Sequence, residues 1–246
     1  MKKVKLIEAV KERFQLPEKE AMGLIMRGKV LAGDKPLLKA GLMISPECIL
    51  RIKDQKKYVS RGAYKLVDAL EHFNISVLDK VCADFGSSTG GFTEVLLEKG
   101  AKKVYAVDAG TNQLDYRLRI NPKVIAMENV KVNGLSAGSF DEKIDFSVMD
   151  LSFTSALPSV KKIFFDLKIA KLLALIKPQF EYDRLKEILL LDDDFNGVIK
   201  KESDSEKIIS YVNEEVLLLG IKVYGIIPSA VRGQKGNQEY LFYMGI

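Results

Sequence analysis

The sequence predicts an α/β protein built on a mainly parallel, doubly wound sheet, with a small basic α+β segment ahead of it. Three observations carry that reading. Apolar strand-like runs near Val81, Val104, Val124, Ile144, Leu172, Val223 and Tyr240 alternate with helical stretches, the order that winds helices onto a parallel sheet. The run Val81-Cys-Ala-Asp-Phe-Gly-Ser-Ser-Thr-Gly-Gly-Phe-Thr93 leads a strand into a glycine-rich turn and then a helix. Charge is also uneven: Met1 to Lys57 holds 14 Lys and Arg against 7 Asp and Glu, a balance of +7 where the whole chain has only +5, so the remainder is about −2.

Taken in chain order, Leu6, Val10 and Phe14 recur at helical spacing, and Ala21, Leu24, Ile25 and Val30 continue after Pro17 opens a second helix. A turn at Ala32-Gly-Asp-Lys-Pro36 and short apolar strands follow. A small basic module on a near-neutral core is the footprint of nucleic-acid binding, because neutralised phosphates release counterions. A solvated face is the bland alternative. Polar residues Arg51 to Lys57 separate the two parts, and Tyr58 to Leu66 leads into a helix. Near the C-terminus, two strands joined by the loop Pro228 to Glu239 predict an antiparallel hairpin at one sheet edge. The acidic segment Asp183 to Glu206, with Asp192-Asp-Asp194, reads as an excursion between core elements and a solvated loop rather than a metal site.

With 246 residues, 47% of them apolar, the chain can bury a proper core. Charges interrupt every apolar stretch well short of the eighteen or more residues that a membrane helix requires. Glu8, Lys11 and Glu12 break what would have to be the apolar region of a signal peptide, so a cytoplasmic protein is expected. Cys48 and Cys82 are the only cysteines, which supports neither a disulfide framework nor a metal cluster. His72, the sole histidine, lies among Leu70, Phe73 and Ile75 and reads as a half-buried helix residue. No Ser-His-Asp arrangement is readable, which leaves a carboxylate or a lysine as general base.

The glycine-rich turn narrows the choice of ligand. Gly86 and Gly91 have the interval of a phosphate-binding loop, but Phe92 occupies the position of its lysine. Ser88 fills the second glycine position of a dinucleotide fingerprint and limits close approach of a pyrophosphate. A small nucleoside cofactor without phosphates fits best, with Asp84 placed to meet a cationic end and Asp108, after the strand at Val104, placed to grip a ribose diol. S-adenosylmethionine meets that description; a dinucleotide, or a turn with packing glycines only, are the alternatives. In doubly wound sheets ligands sit beyond the carboxyl ends of the strands. Asp150 and Lys177 follow the fourth and fifth strands, and Lys65 and Glu239 can reach the same place if the sheet winds as expected. Each taken singly is more often a surface ion-pair residue.

Together with their surroundings these residues resemble the FtsJ-like ribose 2′-O methyltransferases, in the TlyA-type branch also called hemolysin A. Six motifs carry the resemblance in order: Ser60-Arg-Gly-Ala-Tyr-Lys-Leu66, Asp84-Phe-Gly-Ser-Ser-Thr-Gly-Gly-Phe-Thr93, Val107-Asp-Ala-Gly-Thr-Asn-Gln-Leu114, Asp150-Leu-Ser-Phe153, Lys177-Pro-Gln-Phe-Glu181 and Gly233-Gln-Lys-Gly-Asn-Gln-Glu239. The resemblance implies a Rossmann-like methyltransferase fold that uses S-adenosylmethionine, without a metal, to methylate ribosomal RNA in ribosomal subunits, often at cytidines. Its catalytic tetrad falls on Lys65, Asp150, Lys177 and Glu239, with Lys177 as base or as the group that orients the hydroxyl. Cofactor contacts fall on Asp84, Gly86, Ser88, Thr89, Gly90, Gly91, Asp108, Ala109, Glu128, Asn129 and Asp150. Ala63 stands where the family has glycine, and Glu128-Asn-Val-Lys131 and Val198-Ile-Lys-Lys201 depart from its usual runs.

The N-terminal segment resembles the ribosomal protein S4-type RNA-binding domain through Leu24-Ile-Met-Arg-Gly-Lys-Val-Leu-Ala-Gly-Asp34, Lys39-Ala-Gly41 and Ile49-Leu-Arg-Ile52, with Pro17-Glu18-Lys19 replacing the usual serine-arginine pair. RNA contacts are then expected at Lys5, Arg27, Lys29 and Lys39, and at Ser60 and Arg61 near the junction. The expected boundaries are 1–55 for this domain, 56–62 for a linker and 63–246 for the methyltransferase domain. A non-catalytic RNA-binding assembly factor and a membrane-lytic protein are the rival functions.

Overall fold

The structure, a computed structural model, describes residues 3–53, 58–191 and 194–246. It divides into two compact units, Met1–Lys57 and Tyr58–Ile246.

In the first unit, β1 (Val4–Lys5) leads into α1 (Leu6–Phe14), and α2 (Glu18–Met26) follows Pro17 at its N-cap. Gln15 ends α1 in the left-handed conformation. Leu6, Ile7, Ala9 and Val10 of α1 pack with Ala21 and Ile25 of α2 in a core of their own. β2 (Val30–Ala32) pairs antiparallel with β3 (Lys35–Pro36) and β5 (Leu50–Ile52), while β4 (Met43–Ile44) pairs with β1.

In the second unit, α3 (Gly62–His72) precedes β6 (Val81–Phe85), α4 (Gly91–Glu98), β7 (Lys103–Val107), α5 (Tyr116–Arg119) and β8 (Val124–Met127). Then come β9 (Phe146–Met149), α6 (Leu157–Lys161), β10 (Lys171–Ile176), α7 (Pro178–Leu185), α8 (Glu202–Leu218), β11 (Lys222–Pro228) and β12 (Tyr240–Gly245). The sheet order is β11-β12-β10-β9-β6-β7-β8, parallel from β10 through β8. β12 pairs antiparallel with both β10 and β11, which places the expected hairpin at one edge. The chain winds outward from β6 to β8, then returns to the other side of β6 at β9. This reversal opens a crevice beyond the carboxyl ends of β6 and β9, where a doubly wound sheet receives its ligand.

Strand alternation sorts the core into two layers. Val81, Ala83 and Phe85 face the helices α6 and α8 together with Leu172, Ala174, Ile176, Phe242 and Met244. Cys82, Leu173, Leu175 and Leu241 face the opposite layer, built from α3 and α4. Apart from Asp84, both faces of β6 are apolar, as are those of β10, which a parallel strand covered on both sides requires. Each fully buried Leu or Phe contributes about 1.5–3 kcal/mol relative to exposure.

Three expectations need correction. Residues 58–62, expected within a linker, belong to the second unit: Tyr58 is buried, and the Val59 N–H donates to Glu94 at 2.6 Å. The linker's remaining positions, 56 and 57, lie outside the described residues, as do Asp192 and Asp193. His72 is exposed at the end of α3, its ring edge-on to Phe73, because the buried stripe of that helix runs through Ala63, Leu66, Ala69 and Leu70. The excursion is shorter than 183–206, since α7 continues through Leu185 and α8 begins at Glu202. No helix of the described residues is long and apolar enough to cross a membrane.

Candidate active site

The turn after β6 is shaped by what lies against it. Gly86 has φ +86°, and a Cβ there would collide with the backbone carbonyl of Asp150, the residue that follows β9. The Asp150 N–H in turn donates to the Phe85 carbonyl at 2.9 Å. The loops leaving β6 and β9 thus meet backbone to backbone, and only glycine fits the contact. At Gly91 a Cβ would crowd Ser60 Oγ and lie 3.2 Å from the Ala63 backbone nitrogen, so the starts of α4 and α3 also pack closely.

Below this turn, Asp84 is fully buried on the α4 face of β6. Its Oδ2 accepts from Thr93 Oγ1 at 2.7 Å, while Oδ1 is buried without a hydrogen-bond partner. Burial pushes the Asp84 carboxyl up to about 7; the nearby negative charges of Asp150 and Asp108 add to the rise and Thr93 opposes it. An unmet buried carboxylate oxygen is the feature that a cationic ligand group would satisfy.

Asp108 follows β7 and lies beside the same turn. Its Oδ2 accepts from the Ser88 N–H at 2.8 Å and its Oδ1 from the Gly110 N–H at 2.7 Å. Ala109 is exposed next to it, and Asn129, with φ +57°, donates its N–H to the Gly110 carbonyl at 2.9 Å. Glu128 accepts from the Asn112 and Gln113 N–H groups at 3.0 and 2.9 Å and from Arg119 Nη2 at 2.8 Å. Arg119, with those backbone donors, holds its carboxyl down at about 2. In the structure Glu128 shapes the 112–114 loop.

The other side of the crevice is built from lysine–carboxylate pairs. Lys65 lies beside Leu66 on the buried stripe of α3, which carries its ammonium inward to Glu239, just before β12; Nζ and Oε2 are 2.5 Å apart. Glu239 Oε1 also accepts from Gln179 Nε2 at 3.2 Å. Lys177, at the N-cap of α7, places Nζ 2.5 Å from Asp150 Oδ1 and donates to Ser152 Oγ at 3.1 Å. Both lysines are buried, as is Glu239, so each ammonium depends on its carboxylate to offset lost hydration. All four side chains line one cleft of about 740 Å³, together with Gly86, Ser88, Thr89, Gly91, Ser60 and Arg61. Asp84 and Gly90 are not in its wall, and Asp108, Ala109, Glu128 and Asn129 gather at the neighbouring ends of β7 and β8. Among the described residues no group of three or more His, Cys, Asp or Glu could hold a metal ion.

Of the other residues singled out from sequence, Lys5, Arg27 and Lys39 are exposed on the first unit and Lys29 is half-buried there. Sequence reasoning missed the parts played by Thr93, Ser152, Gln179 and Asn237. Asn237 is buried: its Nδ2 donates to the Gly197 carbonyl and its Oδ1 accepts from the Ile199 N–H, both at 2.9 Å, tying residues 197–199 to the loop ahead of Glu239. All four lie inside or beside motifs already quoted; Thr93 meets Asp84 within one motif, while Ser152, Gln179 and Asn237 act on partners remote enough in sequence that no spacing rule reveals them.

Comparison with known proteins shows the family and the fold. The sequence pattern of the FtsJ-like methyltransferases matches residues 58–246. Hemolysin A of Brachyspira hyodysenteriae is 35% identical over 232 residues, 94% of each chain. The 16S/23S rRNA (cytidine-2′-O)-methyltransferase TlyA of Mycobacterium tuberculosis is 34% identical over 242 residues, 96% of this chain and 87% of the relative. A solved structure of a hemolysin-named protein from Streptococcus thermophilus superposes with a TM-score of 0.71 at 33% identity, covering 100% of this chain and 89% of that one.

Proposed function

The chain belongs to the FtsJ-like methyltransferase family, and from that premise we propose that it methylates the ribose 2′-hydroxyl of a cytidine in ribosomal RNA, using S-adenosylmethionine. The observation that carries the reading is the convergence of the Lys65–Glu239 and Lys177–Asp150 pairs on one cleft at the sheet's reversal point. Relatives from Mycobacterium tuberculosis and Campylobacter jejuni, 34% and 33% identical, are named as rRNA cytidine-2′-O-methyltransferases, which supports the substrate class. An RNA substrate of this kind also implies a cytoplasmic protein.

S-adenosylmethionine supplies a methyl group on a positively charged sulfur, open to in-line attack by a nucleophile. The residues present fit it. Asp150, in the cleft wall, is suited to the ligand's positive charge, and Asp84 adds an unmet carboxyl oxygen beneath the turn. The Gly86, Ser88, Thr89, Gly90 and Gly91 turn offers close backbone approach, and Asp108, Ala109, Glu128 and Asn129 form the nucleoside side of the site. A ribose hydroxyl is a poor nucleophile and must lose its proton as its oxygen bonds to carbon. Lys177 acts as its neutral amine: the Nζ lone pair takes that proton, and the ammonium so formed is held by Asp150 and Ser152. Lys65, fixed by Glu239, holds the ribose oxygen in line, and such positioning supplies much of the acceleration.

The first unit reads as an S4-type RNA-binding domain that recruits structured RNA through Lys5, Arg27, Lys29 and Lys39, with Ser60 and Arg61 meeting RNA at the cleft. Two short helices packed with antiparallel strands and an excess of basic side chains support that reading. The test is transfer of a labelled methyl group from S-adenosylmethionine to purified small and large ribosomal subunits, followed by mapping of the product. Wild type is expected to label a ribose, and Lys177→Ala to lower the rate by about 10²-fold or more. Cofactor binding without transfer to either subunit or to free RNA would instead identify a non-catalytic RNA-binding factor.

A further inference from the structure

We propose that Glu181 is a positioning residue for the Lys177–Asp150 pair, holding the two segments that carry it in register. The inference deepens the methyl-transfer reading and rests on it for its kinetic part. Glu181 is only 1% exposed and lies on α7, one turn beyond Lys177. Its Oε1 leaves its own helix and accepts the backbone N–H of Ala156 at 2.7 Å. Ala156 ends the loop that leaves β9 at Asp150, turns through Phe153 at φ +62°, and carries Ser152. Asp150 and Ser152, which meet Lys177 Nζ through their side-chain oxygens, therefore sit on a loop whose far end is fastened to the helix that begins after Lys177.

The carboxylate is itself held. Arg184 donates to Glu181 Oε2 from Nε at 3.0 Å, brings Nη2 within 2.9 Å of the same oxygen, and forks onto Glu215 of α8 at 2.8 and 2.7 Å. A buried carboxylate without a cation would be costly, and the Arg184 guanidinium supplies that partner on the oxygen facing away from the amide. Two functions are thereby separated on one side chain. Oε1 fastens the loop that bears Asp150, while Oε2 secures the packing of α7 on α8.

That separation makes the proposal testable, because glutamine keeps an acceptor for Ala156 and loses the ion pair. In the full-length protein, Glu181→Ala is expected to speed amide hydrogen exchange across residues 151–156 and to lower kcat for methyl transfer to ribosomal subunits about tenfold, leaving KM for S-adenosylmethionine within about twofold. Glu181→Gln is expected to restore slow exchange and kcat while melting as early as the alanine variant. Glu215→Gln should lower the melting temperature and leave kcat unchanged. If alanine and glutamine variants show the same exchange and the same kcat, Glu181 is a stability residue only and the proposal falls. If wild type transfers no methyl group, the methyl-transfer reading falls, and the exchange comparison alone still decides whether Glu181 fastens the loop.

Discussion

Carboxylates stand on both sides of the crevice, and they are held in opposite ways. On the β7–β8 side, Asp108 and Glu128 accept backbone N–H groups, and the cation there, Arg119 on Glu128, is a guanidinium that does not give up its proton. On the β9–β12 side, Asp150 and Glu239 are paired with lysine ammoniums brought from β10 and α3. The difference matters because a backbone amide keeps its proton at neutral pH, whereas a lysine can exchange one with a substrate hydroxyl. Amide-held carboxylates make a rigid cradle suited to binding; lysine-held carboxylates make a surface suited to proton transfer. Asp84 lies between these two and belongs to neither, since one of its oxygens has no partner and its proton is retained up to about 7.

The strongest way to break the contrast is at Gly86, where the two sides touch. Gly86→Ala is expected to lose about 2 kcal/mol or more of stability, seen as a fall of several degrees in melting temperature, and to weaken S-adenosylmethionine binding in calorimetry. Gly134→Ala, at a site where a Cβ meets nothing within 4 Å, should stay within about 0.5 kcal/mol of wild type. Equal melting of the two variants would show that the close approach to Asp150 is dispensable.

A smaller effect is expected at Asp84 and has a definite sign. Its folded carboxyl sits near 7 against an ordinary 3.8, so the folded state keeps a proton that the unfolded chain releases between those values. The contribution of Asp84 to stability is therefore fullest below 3.8 and declines as pH rises toward 7. Asp84→Asn should remove this decline, and the melting-temperature difference between variant and wild type should widen from pH 4 to pH 7. A constant difference across that range would mean that the carboxyl is ionised throughout. Glu128 runs the other way, its carboxyl held near 2 against an ordinary 4.5. Its contribution is present above 4.5 and lost as pH falls toward 2. Glu128→Gln should show the smallest change, a slight early melt at pH 7 that vanishes in acid, with faster exchange of the 112–114 amides. Unchanged exchange would separate Glu128 from the shape of that loop.

Much of the fold was legible because its signals are local. The strand, glycine turn and helix from Val81 to Thr93 are one contiguous run, and the hairpin before and after the Pro228 to Glu239 loop is another. The position of Asp108 at the end of β7 and the basic balance of Met1 to Lys57 are likewise matters of counting along the chain. His72 was misplaced because neighbouring apolar residues do not reveal which arc of a helix turns inward. The start of the second unit at Tyr58 escaped notice because the Val59–Glu94 bond joins residues far apart in sequence.

The chemistry-bearing residues divide along the same line. By itself the sequence determined the alternation of strands and helices, the turn that demands glycine, the residue types at the strand ends and the basic character of the first unit, because each depends on backbone conformation or on charge summed over neighbours. Only the tertiary structure decided that Lys65 pairs with Glu239 and Lys177 with Asp150, that Asp84 keeps an unmet oxygen, and that Glu181 reaches Ala156. Those outcomes depend on burial and on the order in which strands are laid side by side, and both are properties of the packed sheet.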